Sequence, residues 1–170
     1  MTQENFSNEI RPAISFALPF IFAPIIFLST FYGGYTILLA PIYGYVFITI
    51  CDFIVKITIK SPNPNSETNL FYYKALLWVW PLIHFILIFW CIYAVSSFSH
   101  LSIWECIFLM MAQGMITGAV GITFAHELMH QKSHKEKWLA AILMGMAIYG
   151  HNRTEHLLVH HRYVGTAKDA

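Results

Sequence analysis

Four apolar runs, at residues 13–32, 35–55, 72–95 and 103–125, limit what this chain can fold into. A helix rises ~1.5 Å per residue, so about 20 residues cross a ~30 Å hydrocarbon layer. The composition agrees: 57% of the residues are hydrophobic and 11% charged, against roughly a quarter charged in a soluble domain. The expected fold is all-α, a polytopic membrane helical bundle of four spans. Pro19 and Pro24 in the first run and Pro81 in the third are compatible with it, because neighbouring helices in a bundle re-satisfy the carbonyls that proline frees.

The connections follow from turn chemistry. Gly33-Gly34 is a tight turn, Ser96 to Ser102 a short polar one, and residues 60–70, with Pro62, Pro64 and several Asn and Ser, form a loop. With these spans all ten Lys and Arg residues fall on one side, among them Arg11, Lys56, Lys60, Lys74 and Lys132. The positive-inside rule then places the N-terminus, the 56–74 loop and everything after Ala125 in the cytoplasm, with the bundle in the inner (cytoplasmic) membrane. Residues 1–12 are polar, unlike a cleaved signal peptide. No basic stripe is present, so nucleic acid is not an expected partner. Cys51, Cys91 and Cys106 lie singly in apolar segments and read as small hydrophobes. Asp52 reads as an interfacial carboxylate, and His84, alone in mid-span, as hydrogen-bonded to a neighbouring helix. Gly114, Gly118 and Gly121 suit close helix packing.

After the fourth run the pattern changes. His126-Glu127-Leu128-Met129-His130 and Glu155-His156-Leu157-Leu158-Val159-His160-His161 bring five histidines and two carboxylates to the end of the bundle. Between them, Trp138 to Tyr149 is apolar for only a dozen residues, ~18 Å as a helix and too short to span. It is expected to be re-entrant or interfacial, packed on the bundle through Gly145 and Gly150, returning the second cluster to the face of the first. On a helix, His126 and His130 share one face, as do His156 and His160, with His161 on an adjacent one. Such pairs grip metal, and the two clusters can serve two metals about a side-chain width apart. Glu127 and Glu155 can orient imidazole N–H groups or bridge metals, and His151 can join as ligand or outer group. His100 and His134 have no partner at ligand spacing. Many imidazoles without thiolates suit iron, copper or zinc. The first cluster also satisfies HExxH, a zinc-protease motif, but Ser133 and Glu136 stand where the metzincin extension needs Gly and His.

The two clusters, with Tyr149-Gly150-His151 and the tail His161-Arg162-Tyr163-Val164-Gly165-Thr166, resemble the membrane alkane 1-monooxygenases. These are non-haem di-iron hydroxylases within the fatty acid desaturase/hydroxylase superfamily. Desaturases more often carry HxxHH in the second box, where this chain has HxxxHH. The resemblance implies that His126, His130, His156, His160 and His161 are iron ligands, with Glu127, His151 and Glu155 as accompanying groups. Gln131 and Val159 depart from the family pattern at positions that are not ligands.

The resemblance further implies two non-haem irons and O2-dependent terminal hydroxylation of alkanes, or related apolar chains, to primary alcohols. Electrons would come from rubredoxin with its NAD(P)H-dependent reductase, and substrate from membrane lipid. The family's third histidine box and last spans have no counterpart here. Residues 1–170 are therefore expected to be a single, incomplete hydroxylase domain, 126–170 its histidine-box region, and the fragment itself inactive. A fatty-acyl desaturase or hydroxylase of the same superfamily, or an HExxH intramembrane zinc protease, is the alternative. A metal transporter ranks last, because only His84 lies deep in a span.

Overall fold

The computed structural model describes residues 16–55 and 71–166, and among these it is helical without strands. The first residues of the 13–32 run, the 60–70 loop, Arg11, Lys56, Lys60 and Lys168 lie outside the described residues, as do the side chains of Cys51, Asp52 and Arg153. Helix α1 (Leu18–Tyr32) begins as a 3-10 turn, Leu18–Ile21, that holds Pro19. Pro24 is the third residue of its α-helical part, Phe22–Tyr32, just after the 3-10 turn. Helix α2 (residues 34–55) comes after the Gly33-Gly34 turn and contains a π-helical stretch, Ile42–Phe47. Helix α3 (Phe71–Ser97) carries Pro81 inside it, and α4 (Ile103–Met129) contains a π turn at Thr117–Gly121. Two shorter helices complete the described chain, α5 (His134–Met146) and α6 (residues 152–163).

Among the described residues, only α3 and α4 are long and apolar enough by themselves to cross a membrane, 27 residues each. The stretches Leu18–Tyr32 and Gly34–Ile50 are shorter apolar helices. The bundle buries one stripe of each long helix. On α3 this is Leu77, Trp80, His84, Leu87, Cys91 and Ala94, spaced three or four apart. The opposite face carries Leu82, Phe85, Ile86, Phe89 and Ile92, all exposed, an apolar surface of the kind that meets lipid. Phe22 and Ile26 of α1, Tyr43 of α2, Phe124 and Leu128 of α4, and Leu143 and Met144 of α5 close one core with the α3 stripe.

The π turn in α4 adds a residue to one turn and rotates the remainder of the helix. The buried stripe runs through Leu109, Ala112 and Ile116, then resumes at Gly121, Phe124, Ala125 and Leu128. Gly121 thereby comes under His84, and a Cβ there would meet the imidazole Nε2 at 3.2 Å. At Gly114, Gly118, Gly145 and Gly150 an added Cβ would meet nothing within 4 Å. Close packing thus explains Gly121 but not these four, which face open space.

His84 departs from expectation in another way. It is fully buried and stacks on Trp80 at 5.7 Å, yet among the described residues neither ring nitrogen has a hydrogen-bond partner. His100, by contrast, contacts the Thr30 carbonyl at 3.1 Å and stacks on Phe98. The α1–α2 turn is tied to α4 through Glu105. One carboxylate oxygen accepts the Gly34 N–H, and the other accepts the Ser102 N–H at 2.7 Å, within a capping box. Gly33 and Gly34 both have positive φ, 60° and 57°, which explains the glycine pair.

Candidate metal centre

The first histidine cluster is set by the end of α4, which continues as an α-helix to Met129 with His130 as its C-cap. His126 and His130 therefore sit one turn apart on one face, as their spacing requires. Ser133 then opens α5, its hydroxyl accepting from the Lys135 N–H at 3.3 Å. The helix starts at His134, four residues before the apolar run, and lies against α4 and α3. Its buried Ala140, Leu143 and Met144 join the bundle core. The chain so returns to the end from which it left, and α6 places the second cluster beside the first.

The turn out of α5 is strained. The Tyr149 N–H reaches back to the Met144 carbonyl at 2.9 Å, a Schellman-type closure, and puts Ile148 at φ 54°. A β-branched residue in that region costs about 1–2 kcal/mol, and Ile148 is 91% exposed, so its side chain offsets little. Ile148→Gly should stabilise the protein by about 0.5–1 kcal/mol after the added entropy of the unfolded chain is subtracted. Reversible unfolding in mild detergent measures it.

Residues Glu155–His160 of α6 are π-helical, not α-helical. The wider turn brings residues five apart onto one face. His156 and His161 accordingly meet, Nε2 to Nε2, at 3.1 Å. His160, expected to pair with His156, instead stacks beside it at 5.3 Å, the rings inclined by only 20°.

Across the two helices the Nε2 atoms of His126 and His156 are 2.9 Å apart, those of His130 and His126 3.4 Å, and those of His156 and His130 3.3 Å. An imidazole Nε2 has one in-plane direction for its proton or lone pair, so three such atoms in a triangle cannot all hydrogen-bond in pairs. A point equidistant from the three lies about 1.9 Å from each, close to the ~2.0–2.1 Å of a metal–imidazole bond. The donor set fits a metal ion, and His126, His130 and His156 form the group that could hold it. His156 is kept below the ordinary histidine pKa, first by burial and then by the neighbouring imidazoles of His126 and His161. At neutral pH its lone pair is thus available to a metal.

The remaining predicted residues are arranged around this triangle. His160 and Glu155 line a cavity of about 240 Å³ shared with Tyr149, Asn152 and His156. His151 stands apart, exposed, its ring edge-on to Tyr149 at 4.8 Å. Glu127 lies near the Tyr73 hydroxyl of α3, close enough for the two to interact. Tyr73 was not among the expected site residues, and nothing local in the sequence links it to a glutamate more than 50 positions away. His134, exposed at the start of α5, is not part of the cluster.

Comparison with known proteins agrees with this part of the chain. Residues 101–170 match the fatty acid desaturase family. Alkane 1-monooxygenase 1 of Alcanivorax borkumensis is 31% identical over 110 residues, 65% of this chain and 26% of that protein. Alkane 1-monooxygenase of Pseudomonas putida is 31% identical over 98 residues, 58% of this chain and 24% of that one. Alkane 1-monooxygenase 1 of Pseudomonas aeruginosa is 39% identical over 61 residues, 36% of this chain and 16% of the relative. The chain thus resembles the alkane 1-monooxygenases, with a fatty acid desaturase match over its histidine-bearing part, and spans about a quarter of the length of the first of these relatives.

Proposed function

We propose that this chain serves O2-dependent terminal hydroxylation of alkanes, or related apolar chains, to primary alcohols at a histidine-ligated di-iron centre. The observation that carries the reading is the convergence of imidazole Nε2 atoms from α4 and α6. The proposed ligands are His126, His130, His156, His160 and His161, with Glu127, His151 and Glu155 as outer groups or further ligands. When bound, an iron pair supplies the O2 chemistry: two electrons and two protons reduce one oxygen atom to water while the other enters a C–H bond.

The protein's own residues would position the chain and keep water out. An apolar cavity of about 280 Å³ between α1 and α4 is lined by Phe16, Pro19, Val120 and Phe124, two residues from His126. A hydrocarbon arriving from lipid fits such a lining, since it demands no polar partner. Four spans, with the N-terminus and histidine boxes in the cytoplasm, would let soluble rubredoxin and its reductase deliver electrons. The ten basic residues on one side support that orientation.

The fatty acid desaturase match keeps acyl desaturation or hydroxylation as the second reading, while the names of the relatives favour alkanes. A zinc protease is less well supported, because neither the family match nor the names of the relatives point to one. Two measurements test the proposal. Metal analysis of the purified chain should find iron rather than zinc. A chimera with residues 101–170 in place of the matching segment of an alkane 1-monooxygenase should make primary alcohol labelled from 18O2. Zinc held to the exclusion of iron, or an olefin as product, would refute it.

A further inference from the structure

Beside the start of α3, at the histidine end of the bundle, a groove of about 570 Å³ runs between α3 and the first turn of α5. Phe71, Trp78 and Val79 give it an apolar wall, and Lys74, Ser133 and Glu136 its polar groups. Glu136 is 7% exposed, and among the described residues its one hydrogen bond comes from the Trp78 indole N–H, at 3.3 Å. Among the described residues no Lys, Arg or His pairs with this carboxylate, although the Lys74 ammonium lines the same groove. A carboxylate buried this far is normally paired with a cation or held by several donors. Here one oxygen takes the indole N–H and the other opens onto the groove with no protein partner among the described residues.

The groove has a second pole. Ser133 caps α5, a helix of 13 residues whose N-terminal amides carry partial positive charge, and Lys74 adds a full one. A buried acceptor and a cationic rim therefore line one groove over an apolar wall. Helix α3 is about 40 Å long, roughly 10 Å more than a hydrocarbon layer, and Lys74 lies in its first turn. In a membrane this end reaches the headgroup level.

We propose that the groove binds phosphatidylethanolamine, Glu136 accepting from its ammonium while Lys74 and the α5 N-terminus take its phosphate and the wall of α3 takes an acyl chain. Ethanolamine offers three N–H donors to the carboxylate. The quaternary nitrogen of choline offers none, and a glycerol headgroup has no cation for Glu136 to meet. The inference rests on the membrane placement of the chain but not on its metal chemistry.

Native mass spectrometry of the detergent-solubilised protein, given phosphatidylethanolamine, phosphatidylcholine and phosphatidylglycerol of equal acyl composition, tests it. The ethanolamine lipid should be retained about tenfold better than either other, the size of one charge-assisted hydrogen bond. Glu136→Gln keeps an acceptor for Trp78 and should erase that preference. Lys74→Met should weaken all three lipids. Equal retention of the three, or an ethanolamine preference that survives Glu136→Gln, overturns the proposal. A protein that stays soluble without detergent and retains none of them overturns the membrane placement as well, whereas loss of iron binding would leave the groove untouched.

Discussion

His156→Ala should remove most of the metal from the protein, with an affinity loss greater than ~100-fold, beyond what an outer-group change produces. His156 is the hub of the cluster, its Nε2 lying 2.9 Å from that of His126, 3.3 Å from His130 and 3.1 Å from His161. Without it the nitrogens of α4 and α6 no longer share a centre. His151→Ala is the informative contrast, because that ring lies against Tyr149 and outside the cluster. Its effect should be tenfold or less. Titration with ferrous iron under anaerobic conditions, read by metal content after desalting, separates the two. Acid should act in the same direction. The folded-state pKa of His156 is depressed, so its stabilising contribution is present above the ordinary value near 6.5 and is lost as pH falls below it. Metal retention should fall over the same range, since protons compete for the lone pair. Equal metal loss from the two variants would place the centre elsewhere.

Much of this arrangement is legible in residue patterns, and the parts that are not share a physical reason. The apolar runs at 72–95 and 103–125 become α3 and α4 within a few residues, because hydropathy and Gly, Ser and Pro punctuation act locally. The i, i+4 spacing of His126 and His130 survives because α4 stays α-helical to Met129. The same logic fails at the second cluster, where the π stretch Glu155–His160 pairs His156 with His161. A period of 3.6 is an assumption about backbone geometry, and one inserted residue per turn changes which side chains meet. The π turn at Thr117–Gly121 likewise re-aims the buried stripe of α4 and leaves Gly118 facing outward. Contacts between distant residues, such as Tyr73 with Glu127 or Trp78 with Glu136, leave no trace in either segment alone.

Trp80→Ala should destabilise the bundle by about 3 kcal/mol, and with it the seating of His126. The indole is fully buried and packs on three rings at once: Phe20 at 5.3 Å, Phe124 at 5.2 Å and His84 at 5.7 Å. Truncating a buried Trp costs about 3–5 kcal/mol in soluble cores. The lower end applies to a bundle in lipid, where helix association depends on packing more than on escape from water. At this chain length the loss corresponds to roughly 6–12 °C in Tm. Phe124 is two residues from His126 on the same helix, so a collapse toward the vacated volume shifts α4 against α6. Metal should then dissociate faster even below the unfolding transition. Trp80→Phe discriminates packing from polarity. Among the described residues the Trp80 indole N–H has no hydrogen-bond partner, so Phe discards an unpaired buried donor while keeping most of the ring contacts. Its loss should be well under half that of the alanine variant. A Phe variant as unstable as the Ala one would mean that the full width of the indole, which a six-membered ring cannot replace in this stack, is what holds α3 to α4.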